Sequence, residues 1–411
     1  MTDPLFSPLI LPNGAAIPNR IGKAAMEERL AEAGQLPGVA FERLYGAWAD
    51  GGAGLILTGN VMVDPRALTG AGAVVLQQGT DLAPFRRWAH AARRVGAQVW
   101  MQISHPGRQV FAALGQPGWA PSAVPVDLGK RSKLIAVPRA MTEDEIEATL
   151  GRFATTARLA EQAGFTGVQI HGAHGYLISQ FLSPLVNQRT DRWGGSLENR
   201  MRFLVEAVQR VRAAVSPGFC VAVKLNSADF QRGGFDADDA EAVVGALGSL
   251  AVDLVELSGG NYEAPAMQGQ TRDGRTLARE AYFVEFAARM AKVARMPLMT
   301  TGGIRRRVVA ESVLAQGVAM VGMGTALAMM PDLPAAWRAG RAVDAPQPDV
   351  RVADKTLNAL ATMAVIRRQL QRLGAGKAPL TKASVWATMI ADQWQQYRQS
   401  ARYRRWIAEM R

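Results

Sequence analysis

The 411-residue chain contains a single cysteine, Cys220. One cysteine excludes a disulfide within the chain, and it excludes zinc or iron–sulfur sites that need clustered thiolates. Low cysteine content is also typical of proteins from reducing compartments, so we expect a cytoplasmic protein.

Long apolar runs are missing as well. Residues 1–20 lack the basic start and apolar core of a signal peptide, and no stretch reaches about 18 apolar residues. The longest uncharged apolar segment, Gly317–Met330, is interrupted by glycines and is interpreted as a strand and a turn. We therefore expect that this chain is not an integral membrane protein. An apolar content of 48% excludes wholesale disorder and provides for a sizeable core.

Acidic residues become scarce only in the carboxyl-terminal part. Residues 351–411 hold 12 lysines and arginines against 3 acidic residues, whereas residues 1–350 hold 35 against 32. The net charge of +12 therefore belongs mainly to the tail rather than to the body of the protein.

The sequence alternates short apolar runs with segments of helical periodicity. Most runs are continuously apolar, which is typical of strands buried on both faces of a parallel sheet. Eight strand–helix units favour a closed (β/α)8 (TIM) barrel in the α/β class over an open sheet. The predicted strands are Arg20–Met26, Gly54–Asn60, Gln98–Ser104, Gly167–Ala173, Cys220–Asn226, Leu254–Gly260, Pro297–Gly303 and Ala319–Thr325.

Two segments fall outside this repeat. About 60 residues separate the third and fourth strands, and their Gly- and Pro-rich part, about 106–140, is either a lid or an inert surface loop. Residues 346–411 follow a barrel over 1–345 as a basic extension with three amphipathic helical patterns. We expect these helices to pack on the barrel or on a second subunit, so a homo-oligomer stays open. Binding of anionic lipid or nucleic acid is the alternative that we do not favour.

Polar residues cluster where the predicted strands end, which is where barrel enzymes carry their chemistry. Two glycine clusters predict a phosphate site: Thr301-Gly302-Gly303-Ile304 after strand seven and Gly322-Met323-Gly324-Thr325 at strand eight. The other strand ends hold Glu27, Glu28, Thr58, Asn60, Gln102, Ser104, His171, His174, Lys224, Asn226 and Ser258. No G-x-G-x-x-G motif joins a strand to a helix, so a Rossmann domain is unsupported.

The residues themselves leave several roles open. His171 and His174 could bind a substrate oxygen, serve as structural histidines, or ligate a metal; we favour the first and expect no metal. Lys224 ends an apolar strand and needs a partner there, because an unpaired buried charge is costly. That lysine could face an anionic ligand or act as a Schiff-base nucleophile.

The stretch GVQIHGAHGYLISQFLSPLVNQRTDRWGGSLENRMRF, Gly167–Phe203, closely resembles the old yellow enzyme family of flavin mononucleotide (FMN) oxidoreductases. The resemblance covers about residues 5–340. It is supported by Asn19-Arg20, by GAGLILTGN at Gly52–Asn60 and by QISHPGRQ at Gln102–Gln109.

This resemblance implies an FMN-binding barrel over 1–345 and assigns roles residue by residue. His171 and His174 match the pair that holds the substrate carbonyl, and Tyr176 matches the proposed proton donor. The resemblance implies that FMN lies against the segments after strands one, two, three, five, seven and eight. Its expected contacts are Ala25, Met26, Glu27, Asn60, Gln102, Lys224, Gly302, Gly303, Gly324 and Thr325.

The chain departs from the family pattern at three of these positions. Ala25-Met26-Glu27 replaces Pro-Met-Thr or Pro-Met-Cys, which puts a carboxylate where it could lower the flavin potential or point away. Lys224 replaces an arginine, which keeps the charge but loses the planar fork. Thr325 replaces an arginine near the phosphate, so the phosphate charge must be balanced elsewhere or less completely.

The resemblance implies an ene-reductase, in which NADH or NADPH reduces FMN and the same site passes hydride to an activated C=C bond of an enone or enal. We expect ping-pong kinetics and a small-molecule partner rather than nucleic acid. The rivals are a Schiff-base aldolase or lyase using Lys224 on a phosphate-binding barrel, and a non-catalytic binding protein that uses the basic tail.

Overall fold

The computed structural model describes residues 3–266, 280–380 and 382–410. Eight parallel strands close into a barrel, because the eighth strand pairs with the first. They are β1 (Ile21–Lys23), β2 (Leu55–Leu57), β3 (Gln98–Ser104), β4 (Gly167–Gly172), β5 (Cys220–Asn226), β6 (Leu254–Ser258), β7 (Leu298–Thr300) and β8 (Met320–Met323). All eight strands lie within the predicted runs, which confirms the α/β barrel.

Helices surround the strands and bury their apolar faces against them. A capping box begins the helix Glu143–Gln162: the Thr142 side chain accepts from the Glu145 N–H, and the Glu145 side chain accepts from the Thr142 N–H. The helices of the barrel are α1 (Val39–Asp50), α2 (Ala83–Arg93), α3 (Glu143–Gln162), α4 (Leu177–Leu182), α5 (Leu197–Ala214), α6 (Ala237–Leu247), α7 (Val284–Met290), α8 (Arg307–Ala315), α9 (Thr325–Met329) and α10 (Leu333–Arg338). Short 3-10 helices cover Pro4–Phe6, Ala33–Gln35, Ala112–Leu114 and Gly129–Leu134.

A hairpin of Leu9–Ile10 and Ala16–Ile17 closes the amino-terminal end of the barrel. Its leucines share an apolar cluster with residues of six barrel strands, and the Asn13 N–H donates to Asp253 beside the start of β6. Because the hairpin covers this end of the barrel, we look for functional side chains at the opposite end, the mouth formed by the carboxyl-terminal ends of the strands.

The insertion between β3 and β4 has structure of its own. Gly118–Ala120 and Pro138–Ala140 pair as a parallel two-stranded sheet, and two of the 3-10 helices lie in the same segment. Arg108, at the start of the insertion, forms a buried ion pair of 2.7 Å with Glu263 in the segment after β6. This ion pair links the insertion to the segment after β6.

A further pair of short strands, Val61–Met62 and Val74–Val75, extends the sheet beside the carboxyl-terminal end of β3.

Two helices form the carboxyl-terminal extension, α11 (Lys355–Gly374) and α12 (Val385–Glu409). The sequence predicts three, and this number is wrong because residues 385–409 contain neither glycine nor proline to end a helix between the second and third patterns. Helix α11 packs on α1 and α9, and α12 packs on the 3-10 helices at Ala33–Gln35 and Ala112–Leu114. The extension therefore lies against the barrel.

Candidate active site

Two histidines and a tyrosine form one corner of the mouth, directly after β4. The ring centroids of His171 and His174 are 5.1 Å apart, and those of His171 and Tyr176 are 4.8 Å apart, both edge to face. His174 adopts a left-handed backbone with φ of 61°, and its N–H donates to Asn226 Oδ1 at 3.0 Å. This sharp turn brings together three side chains that the sequence predicts to act together.

Hydrogen bonds orient the two imidazoles. The Ala173 N–H donates to His171 Nδ1, so a neutral His171 carries its proton on Nε2 and can donate from there. The second ring contacts Ser258 Oγ through His174 Nε2 at 2.8 Å. Burial, with the nearby Lys224 ammonium, holds the pKa of each histidine well below its ordinary value. Both rings are therefore neutral at pH 7, and each has one N–H to donate.

Tyr176 lies beside a second tyrosine that the sequence reasoning missed. The two hydroxyls of Tyr176 and Tyr262 are 3.3 Å apart. Burial raises the pKa of Tyr176 well above its ordinary value, and the neighbouring Tyr262 and Glu27 add to this. The phenol therefore stays protonated at neutral pH.

A buried polar chain crosses the barrel interior beneath this corner. Gln102 Nε2 donates to Gln169 Oε1 at 2.7 Å, and Gln169 Nε2 donates to Glu256 Oε2 at 2.7 Å. The chain ends at Lys224, whose Nζ lies 2.7 Å from Glu256 Oε1. Glu256 is thus the partner that a buried lysine requires. Sequence reasoning named neither Gln169 nor Glu256, although each interrupts an otherwise apolar strand.

The segment after β1 forms the opposite corner. Glu27 accepts hydrogen bonds from Thr69 Oγ1 at 2.5 Å and from Arg29 Nε at 3.0 Å. Burial opposes ionisation of Glu27, but Arg29 and Thr69 outweigh it and hold the pKa of Glu27 below its ordinary value. The next carboxylate, Glu28, accepts instead from the Tyr45 hydroxyl and the Gly59 N–H. The two adjacent glutamates therefore face different surroundings.

The extension braces this second corner, a contact that sequence reasoning did not find. Gln399 Nε2 on α12 donates to the Arg29 carbonyl at 2.8 Å, and Tyr403 donates to the Pro65 carbonyl at 2.8 Å. A buried ion pair of Arg367 and Asp392 joins α11 to α12 and exerts an electrostatic influence on the Glu27–Arg29 pair. Nothing in the sequence marks these polar residues apart from other polar residues on an amphipathic helix.

The two glycine clusters meet on the β7–β8 side of the mouth. Gly302 and Gly303 have φ of 120° and 72°, which side chains rarely adopt, and Tyr282 covers the space that their Cβ atoms would need. A Cβ on Gly324 would lie 3.6 Å from the Met26 side chain. The predicted Met26 contact and the predicted phosphate turn are therefore neighbours. Ala25 and Thr325 flank them in sequence.

An unpaired polar atom at the mouth suits a flavin. Gln102 Oε1 is buried and has no hydrogen-bond partner among the described residues, and the buried Asn60 Nδ2 lies close to the Tyr176 hydroxyl. A ring system that carries an N–H donor would satisfy the Gln102 acceptor. The glycine turns can bring backbone N–H groups close to a phosphate. The residues present therefore fit FMN.

Comparison with known proteins identifies the family. Residues 4–344 match the model of the NADH:flavin oxidoreductase / NADH oxidase family. The chain belongs to this family. It is thus an FMN-dependent oxidoreductase of old yellow enzyme type, as the sequence resemblance implies.

Among curated relatives, an NADH-dependent flavin oxidoreductase, iliE, from Hypocrea jecorina is 37% identical over 349 residues, covering 80% of this chain and 87% of that protein. The protein of the same name from Neonectria sp. is 37% identical over 352 residues, covering 80% of this chain. This chain spans only 46% of the length of the Neonectria protein.

Solved structures agree on the fold. The old yellow enzyme homologue from Zymomonas mobilis superimposes with a TM-score of 0.71 at 26% identity, covering 82% of this chain and 93% of that one. Morphinone reductase in complex with tetrahydroNAD gives a TM-score of 0.69 at 26% identity, covering 84% of this chain and 93% of that one.

Within residues 3–266, 280–380 and 382–410, no helix combines the length and hydropathy needed to cross a bilayer.

Proposed function

We propose that this flavin oxidoreductase is an ene-reductase that takes hydride from NADH or NADPH and reduces the activated C=C bond of an enone or enal. The observation that carries the proposal is the corner after β4, where the His171 ring lies edge to face with both the His174 ring, at 5.1 Å, and the Tyr176 ring, at 4.8 Å. The names of its relatives, which are NADH-dependent flavin oxidoreductases, favour NADH as the donor.

The histidines would bind the substrate through its carbonyl oxygen. His171 has Nε2–H free to donate, because its Nδ1 accepts from the backbone. As negative charge builds on the carbonyl oxygen, the His171 Nε2–H would stabilise it by a hydrogen bond, and His174 would add a second from its Nδ1–H if its Nε2 accepts from Ser258. A single donor of this kind is typically worth about 10²–10³ in rate.

When bound, FMN would supply the hydride chemistry that links the nicotinamide donor to the β-carbon of the substrate. Tyr176 then supplies the proton to the α-carbon, so that one hydride and one proton together saturate the bond. The Tyr262 hydroxyl, 3.3 Å away, is placed to return a proton to Tyr176. General acids of this kind contribute about 10²–10⁴ in rate.

The remaining site residues would hold the cofactor. Gln102 keeps its carbonyl oxygen free for the pyrimidine edge, since Gln169 already takes its amide N–H. Lys224 would neutralise charge at the same edge, with Glu256 fixing its position. Around them we assign Ala25, Met26, Glu27 and Asn60 to the ring system, and Gly302, Gly303, Gly324 and Thr325 to the phosphate.

The first experiment is a visible spectrum of the purified protein under anaerobic conditions. We expect flavin absorption that bleaches with NADH and returns with cyclohexenone, together with ping-pong steady-state kinetics. Bleaching without recovery by any enone, with recovery by oxygen alone, would contradict the ene-reductase proposal while leaving the flavin oxidoreductase in place.

The Schiff-base alternative finds little support in the surroundings of Lys224. Its Nζ forms a buried ion pair of 2.7 Å with Glu256, whereas a nucleophilic lysine must react as a free amine. Covalent trapping of a carbonyl substrate by borohydride, lost in Lys224→Met, would revive that alternative.

A further inference from the structure

Helix α12 carries a stripe of large apolar side chains that faces away from the barrel. Trp386, Ile390, Trp394 and Tyr397 are 61%, 72%, 62% and 65% exposed. Their spacing of four, four and three residues places them on one side of the helix along roughly 16 Å. The Trp394 and Tyr397 rings stack on each other at 6.0 Å. We call these four residues the α12 stripe.

The opposite side of α12 is fixed in place. Asp392 pairs with Arg367 on α11, Gln399 donates to the Arg29 carbonyl, and Tyr403 donates to the Pro65 carbonyl. Turning the α12 stripe inward would break all three contacts. The stripe is therefore a stable surface of the folded chain rather than a core face waiting to close on its own barrel.

The size of the stripe exceeds what isolated surface residues explain. Aromatic side chains contribute about 150–250 Å² each when fully exposed, so the four residues together present on the order of 500 Å² of apolar surface. Patches of this size mark interaction sites on soluble proteins. With the flanking Met389 and Gln393, the stripe approaches the roughly 600 Å² per partner at the lower end of specific interfaces.

Charge distinguishes between the candidate partners. Between residues 383 and 397 the only charged residue is Asp392, and it is buried against Arg367. A neutral surface offers nothing to a nucleic acid or to a charged peptide. An interfacial lipid-binding helix carries lysines and arginines among its aromatic residues, whereas here Lys382 and Arg398 flank the stripe and no lysine or arginine lies between them. A neutral apolar stripe is complementary to another copy of itself.

We propose that the α12 stripe is a homodimer interface, in which two copies of α12 pack antiparallel about a two-fold axis near residues 390–393. The direction follows from Arg404, which lies in line with the stripe seven residues beyond Tyr397. A parallel pair would place the two Arg404 side chains together. An antiparallel pair separates them by roughly 38 Å, well beyond the Debye length of about 8 Å in physiological salt. Such an isologous contact is the commonest kind of oligomer interface.

Sedimentation velocity on the full chain with bound FMN tests the interface. We expect a species of twice the 44.1 kDa chain mass. Ile390→Arg should raise the dimer dissociation constant at least tenfold, because it buries a charge at the centre of the contact. Val308→Arg is the matched control, since Val308 is 65% exposed on α8, away from the stripe, and the same change there should have no effect. A wild-type monomer at tens of micromolar, or a dimer that Ile390→Arg leaves intact, would overturn the proposal.

Cysteine crosslinking tests the direction, since Cys220 is buried and will not compete. Under mild oxidation, Gln393→Cys should give a disulfide-linked dimer and Arg404→Cys should not. The reverse result would reject the antiparallel arrangement. Co-sedimentation of the wild-type protein with phosphatidylserine vesicles, together with a monomer in solution, would assign the stripe to a lipid surface instead. Catalytic activity plays no part in either readout, so failure of the ene-reductase proposal would leave this test unaffected.

Discussion

The two corners of the barrel mouth are built in different ways. The corner after β4 is encoded locally, with His171, His174 and Tyr176 within six residues of one another, and it keeps the family pattern. The corner after β1 departs from that pattern at Glu27, and its Arg29 carbonyl is braced by Gln399, which lies 370 positions further along the chain. The proposed carbonyl-binding residues lie in a short motif, whereas the corner after β1 depends on long-range contacts that the extension supplies.

The largest effect is expected from removing the Glu256 carboxylate, which pairs with Lys224 beneath the corner after β4. Glu256→Gln leaves Lys224 buried without its carboxylate, and breaking one side of a buried pair typically costs about 3–5 kcal/mol. We expect a loss of that size in the free energy of unfolding, measured by urea titration at fixed FMN concentration. We also expect a higher flavin reduction potential, because the ammonium is no longer shared with a carboxylate. The double variant Lys224→Met/Glu256→Gln should recover part of the stability; a double variant less stable than the single one would contradict the pairing.

Truncating the local motif should act on chemistry rather than on stability. His171→Ala removes one donor to the carbonyl oxygen, so the rate of flavin reoxidation by cyclohexenone should fall about 10²–10³-fold. Stopped-flow measurement of both half-reactions checks this. If reduction by NADH fell by the same factor as reoxidation, His171 would serve both steps equally and would not be a specific carbonyl donor.

His105, which belongs to neither corner, should make the free energy of unfolding depend on pH. Burial lowers its pKa to about 4, with Asp64 opposing that shift. Between pH 6.5 and 4 the unfolded chain therefore binds a proton that the folded chain refuses, so stability falls as the pH drops through this window. The shift corresponds to about 3 kcal/mol. His105→Gln should remove that share of the slope, measured as unfolding free energy at pH 7 and pH 4.5. An unchanged slope would mean that His105 is protonated in the folded protein.

The smallest effect is expected at the braced corner. Gln399→Ala removes one hydrogen bond to the Arg29 carbonyl, worth about 1 kcal/mol of stability. The matched control is Gln393→Ala on the exposed side of the same helix, which should be neutral in a thermal melt recorded at a protein concentration low enough to keep the chain monomeric. Equal effects of the two changes would show that α12 does not brace the corner through this bond.

The fold was largely predictable because its signals are local. Each barrel strand is a short apolar run, and the motif from Gly167 to Phe203 is continuous in sequence. The polar chain was not predictable, because the contact of Lys224 with Glu256 depends on the register between β5 and β6. The bracing contacts of Gln399 and Tyr403 were hidden for the same reason. Their side chains look like any others on an amphipathic helix until the tertiary packing brings them to the mouth.

The span between Arg29 and Gln399 also sets an order of events during synthesis. At about 5–20 residues per second, a ribosome adds Gln399 roughly 20–75 s after Arg29. The β4 corner has its motif residues in place long before that moment. The β1 corner must wait for α12, so the nascent barrel can hold its histidines and tyrosine together while the other side of its mouth is still unbraced.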